Sequence, residues 1–164
     1  MGQDQEPTPP TQSAPSSERP TEVRPPAVAP GNLLQNRYRI RGVLGAGGFG
    51  RVYRALDERL GREVALKVLQ RRGTPEADQR FLQEGRTIAR LDHPHIVPVY
   101  DAGFDGPWPW LVMRLIRGQS LAQLLRSSGP LQPERARLYL LDLLDALGHA
   151  HARGLVHRDV KPSN

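Results

Sequence analysis

The sequence predicts an α+β domain: a five-stranded antiparallel sheet with one main helix, followed by further helices. Three observations carry this. Residues 38–69 hold three apolar runs that alternate at period two and are joined by short links. Thr74-Pro75-Glu76 puts a capping hydroxyl, a proline and an acid where a helix begins. Residues 133–153 repeat Leu and Ala at helical spacing and then meet Gly154.

A length of 164 residues fits one domain and a tail. Eight of the 16 prolines lie in residues 1–30, and almost no bulky apolar residue precedes Leu33. Such a stretch buries too little surface to offset its ordering entropy, so residues 1–36 are expected to be a disordered Pro/Ser/Thr-rich tail. A tether is the plain reading of it, a docking or phosphoacceptor tail the alternative. Residues 37–164 are the folded part. Tyr38 to Leu44 reads as a strand, residues 45–50 as a glycine loop, and Arg51 to Ala55 as a second strand. Asp57 to Arg62 turns around Gly61 into a third strand, Glu63 to Leu69. The helix from Pro75 runs to about Leu91, and Pro94 stops it. Ile96 to Tyr100 and Trp110 to Leu115 complete five strands. A short helix follows Ser120, and a longer one runs from Pro133 to about Arg153 with Ala136, Leu140, Leu143, Leu144 and Leu147 on one face.

Charge and composition exclude several function classes. The net charge of +6 divides into −2 for residues 1–36 (four acids, two arginines) and +8 for the remainder. The arginines are scattered singly and aromatics are few, so neither a phosphate-tracking stripe nor a base-stacking platform is expected, and nucleic acid is not a predicted partner. Without cysteine there are no disulfides or thiolate metal sites, which agrees with a reducing, cytoplasmic setting. No apolar run approaches the ~20 residues of a membrane span, and the N-terminus lacks the pattern of a signal peptide.

Four features carry chemistry. Gly45-Ala46-Gly47-Gly48-Phe49-Gly50 precedes an alternating strand; a dinucleotide-binding turn would be followed by a helix. A glycine hairpin lets backbone N–H groups approach phosphates, although a plain turn fits the residues too. Of 23 basic residues only Lys67 and Lys161 are lysines, and a compact ammonium suits a single phosphate oxygen better than a planar fork does. Ala65 and Lys67 share one face of their strand, leaving room for a flat ligand beside a charge. Glu84 falls within the apolar stripe Ala77, Phe81, Ile88, Leu91, where a carboxylate needs a partner, and Lys67 on the preceding strand is the expected one. In His157 to Asn164, Asp159 can accept a proton from a hydroxyl, Asn164 offers an oxygen to a hard cation, and Lys161 can lie against a transferred phosphate.

Together these features resemble the eukaryotic-like Ser/Thr protein kinases, particularly the bacterial ones, over about Tyr38 to Asn164. The resemblance implies a kinase-like small lobe over about 38–116 and an incomplete large lobe over about 117–164. It implies an ATP- and Mg²⁺-dependent transfer of phosphate to Ser/Thr hydroxyls of protein substrates. Leu44, Gly45, Ala46, Gly47, Gly48, Phe49, Gly50, Arg51 and Val52 would cover the nucleotide, with Ala65 in the adenine pocket and Lys67 on the α- and β-phosphates. Glu84 would position Lys67, Met113 would be the gatekeeper, and the backbone of Arg114 and Ile116 would meet adenine. Asp159 would be the catalytic base, with Lys161 beside it and Asn164 a Mg²⁺ ligand. Arg114 stands where the family often has an acid. The 164 residues contain no D-F-G, activation loop or A-P-E, so by themselves they are expected to be inactive and prone to associate. A nucleotide- or partner-binding remnant is the alternative function, and a partial sequence without a stable product a third.

Overall fold

The computed structural model describes residues 28–47, 50–69 and 74–164, without the side chains of Pro75 and Ala77. The expected disorder of residues 1–27 and the roles of Gly48 and Phe49 lie outside the described residues. The elements run β1 (Leu33–Leu34), β2 (Tyr38–Gly47), β3 (Gly50–Asp57), β4 (Arg62–Leu69), α1 (Pro75–Ile88), β5 (Val99–Asp105), β6 (Trp108–Arg114), α2 (Leu121–Ser128) and α3 (Pro133–His151). The strands form one antiparallel sheet in the order β1-β2-β3-β4-β6-β5.

Six strands stand where five were expected. The sixth is β1, which pairs Leu33 with Arg39 and Leu34 with Tyr38. Gln35 and Asn36 both take positive φ, and the Arg37 N–H donates to the Leu34 carbonyl, so a tight hairpin turn joins β1 to β2. Leu34 is buried, and the Val28 N–H donates to the Tyr53 hydroxyl at 3.2 Å. Leu33 and Leu34 therefore belong to the sheet, ahead of residue 37 where the folded part was expected to begin. A two-residue strand has no periodicity to read. The expected strand Ile96 to Tyr100 is likewise displaced to Val99–Asp105. Pro98 removes a donor there, and the ladder to β6 continues through Gly103, which reads as a turn residue in sequence.

One face of the sheet forms the core: Tyr38, Ile40, Tyr53, Ala55, Val64, Leu66, Val68, Trp110 and Val112 are all buried, with Tyr38 edge-on to Trp110 at 5.8 Å. Polar side chains tie the β2 and β5 ends of the sheet to each other. Arg37 grips buried Asp57 with two hydrogen bonds of 2.9 and 2.8 Å and reaches Asp101 at 3.2 Å. The Tyr38 hydroxyl donates to the same Asp101 oxygen at 2.6 Å. The Arg37 guanidinium holds the Asp57 carboxyl below its ordinary value, and burial followed by the Asp101 bond raises the Tyr38 phenol. Helix α1 packs on β5 and β6.

The helical half is different. Helix α2 starts just after Ser120 as expected, and Ser120 caps it with a full capping box: its hydroxyl accepts from the Gln123 N–H, and the Gln123 side chain accepts from the Ser120 N–H. Helix α3 ends at His151, close to the expected Arg153, and Gly154 takes φ +75 just beyond. Its leucines Leu138, Leu140, Leu141, Leu143 and Leu144 are exposed, and Ala146 is its buried residue.

Candidate active site

The sheet places Lys67 as its alternation requires. Val64, Leu66 and Val68 enter the core, and Ala65 and Lys67 face the other way. Cross-strand register puts Val52 opposite Lys67, Met113 opposite Ala65, and Leu111 opposite Lys67. Val52, Ala65, Lys67, Leu111 and Met113 thus share one face, with small Ala65 between larger neighbours. Lys67 is partly buried there.

The glycine loop continues the β2–β3 hairpin. Gly45 pairs with Val52, Ala46 with Arg51, and Gly47 with Gly50. Two register shifts, at Ile40/Gly42 and Val43/Gly45, bend β2 as it approaches the loop. Gly50 has φ +132, and a Cβ there would sit 2.1 Å from the Val68 carbonyl oxygen, so only glycine fits where β3 crosses β4. Leu44 is exposed at this end of β2.

Glu84 departs from its expected setting. It is exposed, and among the described residues no ion pair joins it to Lys67. The residue of α1 that meets the sheet is Gly85, where a Cβ would lie 3.1 Å from Ala102 Cβ and 3.7 Å from Leu111 Cδ2. Phe81 packs edge-on against Phe104 at 5.6 Å. The contact stripe is therefore Phe81, Gly85, Ile88, spaced four and three. A stripe shifted by one residue rotates Glu84 by about 100° around the helix, toward solvent. A glycine at the closest approach reads in sequence as a gap in the stripe, which leaves Glu84 as its apparent centre.

Met113 and Arg114 end β6, and the Arg114 N–H donates to the Pro98 carbonyl at 3.0 Å. The Arg114 amide is thereby committed to the protein's own backbone, and Arg114 pairs with Val64 across the β4–β6 ladder. Ile116 is exposed just beyond.

In the loop after α3, Arg158 takes φ +61 and the Asp159 N–H donates to His157 Nδ1 at 3.3 Å. Lys161 Nζ lies 2.8 Å from both Asp159 Oδ1 and Asp159 Oδ2. Asn164 Nδ2 donates at 2.8 Å both to Asp159 Oδ2 and to the Asp159 carbonyl. Each carboxylate oxygen has a donor, and the hydrogen bonds from Lys161 and then Asn164 hold the Asp159 carboxyl below its ordinary value. Asp159 is thus an ionised acceptor at neutral pH, fixed in orientation. With its amide nitrogen committed to Asp159, Asn164 keeps Oδ1, which is 3.3 Å from the Ser163 hydroxyl, as the oxygen for a cation. Among the described residues no group of three or more His, Cys, Asp or Glu could hold a metal.

Three contacts carry no signal in the sequence. The Ala122 N–H donates to the Pro162 carbonyl at 2.7 Å, joining α2 to this loop. His93, after α1, meets Asp145 of α3 at 3.1 Å and lies 4.8 Å from the His149 ring. Neither partner is near the other in sequence, so no spacing signals them. No helix among the described residues is long and apolar enough to cross a membrane.

Comparison with known proteins bears on the family and the fold. The family described as "Protein kinase domain" matches residues 38–164. The chain is 47% identical over 134 residues to the serine/threonine-protein kinase PknL of Mycobacterium tuberculosis, covering 80% of this chain and 34% of that protein. It is 43% identical over 145 residues to PknA of the same species, covering 82% and 33%, and 43% identical over 137 residues to a probable serine/threonine-protein kinase of Streptomyces coelicolor, covering 80% and 20%. The chain spans about a third or less of the length of these curated relatives. The crystal structure of the M. tuberculosis PknI kinase domain superposes with a TM-score of 0.77 at 33% identity, covering 84% of this chain and 56% of that one.

Proposed function

This chain belongs to the protein kinase domain family of Ser/Thr type, and from that premise we propose that it carries the nucleotide-binding face and the base-bearing loop of an ATP- and Mg²⁺-dependent protein kinase. The observation that carries the proposal is Asp159, ionised and held by Lys161 and Asn164 on its two oxygens.

The residues present fit the nucleotide and the ion. Ala65 leaves space on a sheet face where larger Val52 and Met113 can pack against a flat base. Lys67 supplies a point charge for phosphates, and the Gly45–Gly50 hairpin lets main-chain N–H groups approach them. The Arg114 carbonyl and the backbone of Ile116 would meet the base edge. Asn164 Oδ1 would be one ligand of Mg²⁺, an ion that takes its other oxygens from phosphates and water. The bound ATP and ion supply the phosphoryl group and neutralise its charge.

The chain's own contribution is position. Asp159 Oδ1 can accept the proton of a Ser or Thr hydroxyl while keeping Lys161, because a carboxylate oxygen has a second lone pair, whereas Oδ2 already meets both Lys161 and Asn164. A carboxylate of lowered pKa is a weak base. It suits a loose transition state in which the hydroxyl is aimed at phosphorus first and gives up its proton late. Lys161, against both Asp159 oxygens, would place a positive charge where the transferred group gains negative charge.

The exposed setting of Glu84 favours a second reading for these 164 residues alone: nucleotide binding without turnover, since Lys67 lacks the partner that would orient it. Incubation with γ-labelled ATP and a protein acceptor separates the two. We expect bound nucleotide and no transferred label. Robust label on Ser or Thr that disappears in Asp159→Ala would show that the chain is a complete catalyst.

A further inference from the structure

The loop that holds Asp159 is pinned from outside by α2. The Asn164 N–H donates to the Lys161 carbonyl at 3.1 Å, closing a four-residue turn with Pro162 second. The two side chains that grip the Asp159 carboxylate stand at the two ends of this turn. The Pro162 carbonyl points out of the turn and receives the Ala122 N–H at 2.7 Å.

That amide is available because of how α2 begins. The first-turn N–H groups of a helix have no partner within it. At α2 the Gln123 N–H is satisfied by the Ser120 hydroxyl at 3.2 Å, and the Leu124 N–H by the Ser120 carbonyl at 3.0 Å. Gln123 Oε1 in turn accepts from the Ser120 N–H at 2.7 Å. The capping box fixes the first turn and aims the remaining Ala122 donor at the loop, with the positive end of the helix dipole behind it.

We propose that Ser120 and Gln123 are positioning residues for Asp159, acting through the Ala122–Pro162 hydrogen bond on the Lys161–Asn164 turn. The linkage starts directly after the Arg114–Ile116 stretch assigned to adenine, so nucleotide seating and base orientation share one short element. This rests on the reading of Asp159 as the base, but the test is independent of turnover.

The experiment follows the Asn164 side-chain amide, which donates to Asp159, by ¹⁵N NMR on the whole chain without nucleotide, alongside hydrogen exchange of the Ala122 amide. Ser120→Ala should speed Ala122 exchange on the order of five-fold, the loss of one side-chain cap, and speed exchange of the Asn164 side-chain amide with it. Ser120→Thr, which keeps a hydroxyl, should restore both. Gly129→Ala places a Cβ at φ +75 and frays α2 from its other end. It should leave the Asn164 side-chain signal where it is. Faster Ala122 exchange with an unmoved Asn164 signal in Ser120→Ala would overturn the proposal. So would unchanged Ala122 exchange in that variant, or an equal Asn164 change in Gly129→Ala, which would make the effect one of helix stability alone. Failure of phosphate transfer leaves these amide signals untouched, so the two readings fail separately.

Discussion

The two halves of the chain set their functional side chains in different ways. Lys67 sits on a strand whose neighbours on the other face are almost fully buried, and the ladder to β3 and β6 fixes its place. Asp159 sits on an exposed loop after a helix with one buried residue, and hydrogen bonds from Lys161, Asn164 and its own backbone fix it. Burial is cooperative: a defect anywhere in the sheet reaches Lys67. Hydrogen bonding is local, and a defect in the loop should stay in the loop.

The strongest way to break this contrast is Asp57→Ala. Asp57 is fully buried and Arg37 holds it bidentately. Removing one partner of a buried pair costs about 3–5 kcal/mol. Denaturant unfolding should show that loss, with Lys67 disordered along with the sheet. A loss below about 1 kcal/mol would mean that the sheet does not depend on its closing ion pair.

Gly50→Ala comes next. Its backbone conformation alone costs on the order of 1–3 kcal/mol for a residue with a Cβ, before the clash with Val68. The expected outcome is lower stability and weaker nucleotide binding together. Wild-type stability would show that the β2–β3 hairpin shifts without consequence.

Acid should separate the halves by pH. Burial, then Arg153 and His93, lower the His149 imidazole, while Asp145 and Asp92 act the other way. A histidine with a folded pKa below its unfolded value of about 6.5 contributes stability that is complete above that value and is lost as pH falls below it. Asp57, lowered by Arg37, contributes stability present above about 3.9 and lost as pH falls toward its folded pKa. Hydrogen exchange should therefore show α3 loosening near pH 6 while the sheet stays protected to about pH 4. His149→Gln should remove the upper step. Simultaneous loss of both halves at one pH would contradict the contrast.

The smallest effect concerns exposed leucines. Leu140→Gln with Leu144→Gln should change stability by no more than about 0.5 kcal/mol, because both side chains are more than half exposed. It should reduce self-association of the chain in sedimentation, since exposed apolar patches promote association.

Sequence was most informative where chemistry and periodicity coincide. Alternation places Ala65 and Lys67 on one face, and the start of α2 after Ser120, the Gly61 turn and the end of α3 near Gly154 are legible from single residues. The stripe of α1 is hidden in sequence because its closest contact, Gly85, has no side chain to mark it. The β1 strand was invisible at two residues, and β5 was displaced because Gly103 pairs in a ladder that its type argues against. Long-range hydrogen bonds such as Ala122 to Pro162, or Arg37 to Asp101, leave no local pattern at all.

The central claim is that the Lys67 face of the sheet receives ATP. Calorimetric titration of the chain with ATP, in wild type and in Lys67→Ala, tests it most directly. Loss of a charge-assisted contact of about 1.5–3 kcal/mol predicts binding weakened about tenfold or more in the variant, with the fold retained. Equal ATP affinity in the two proteins would contradict the assignment.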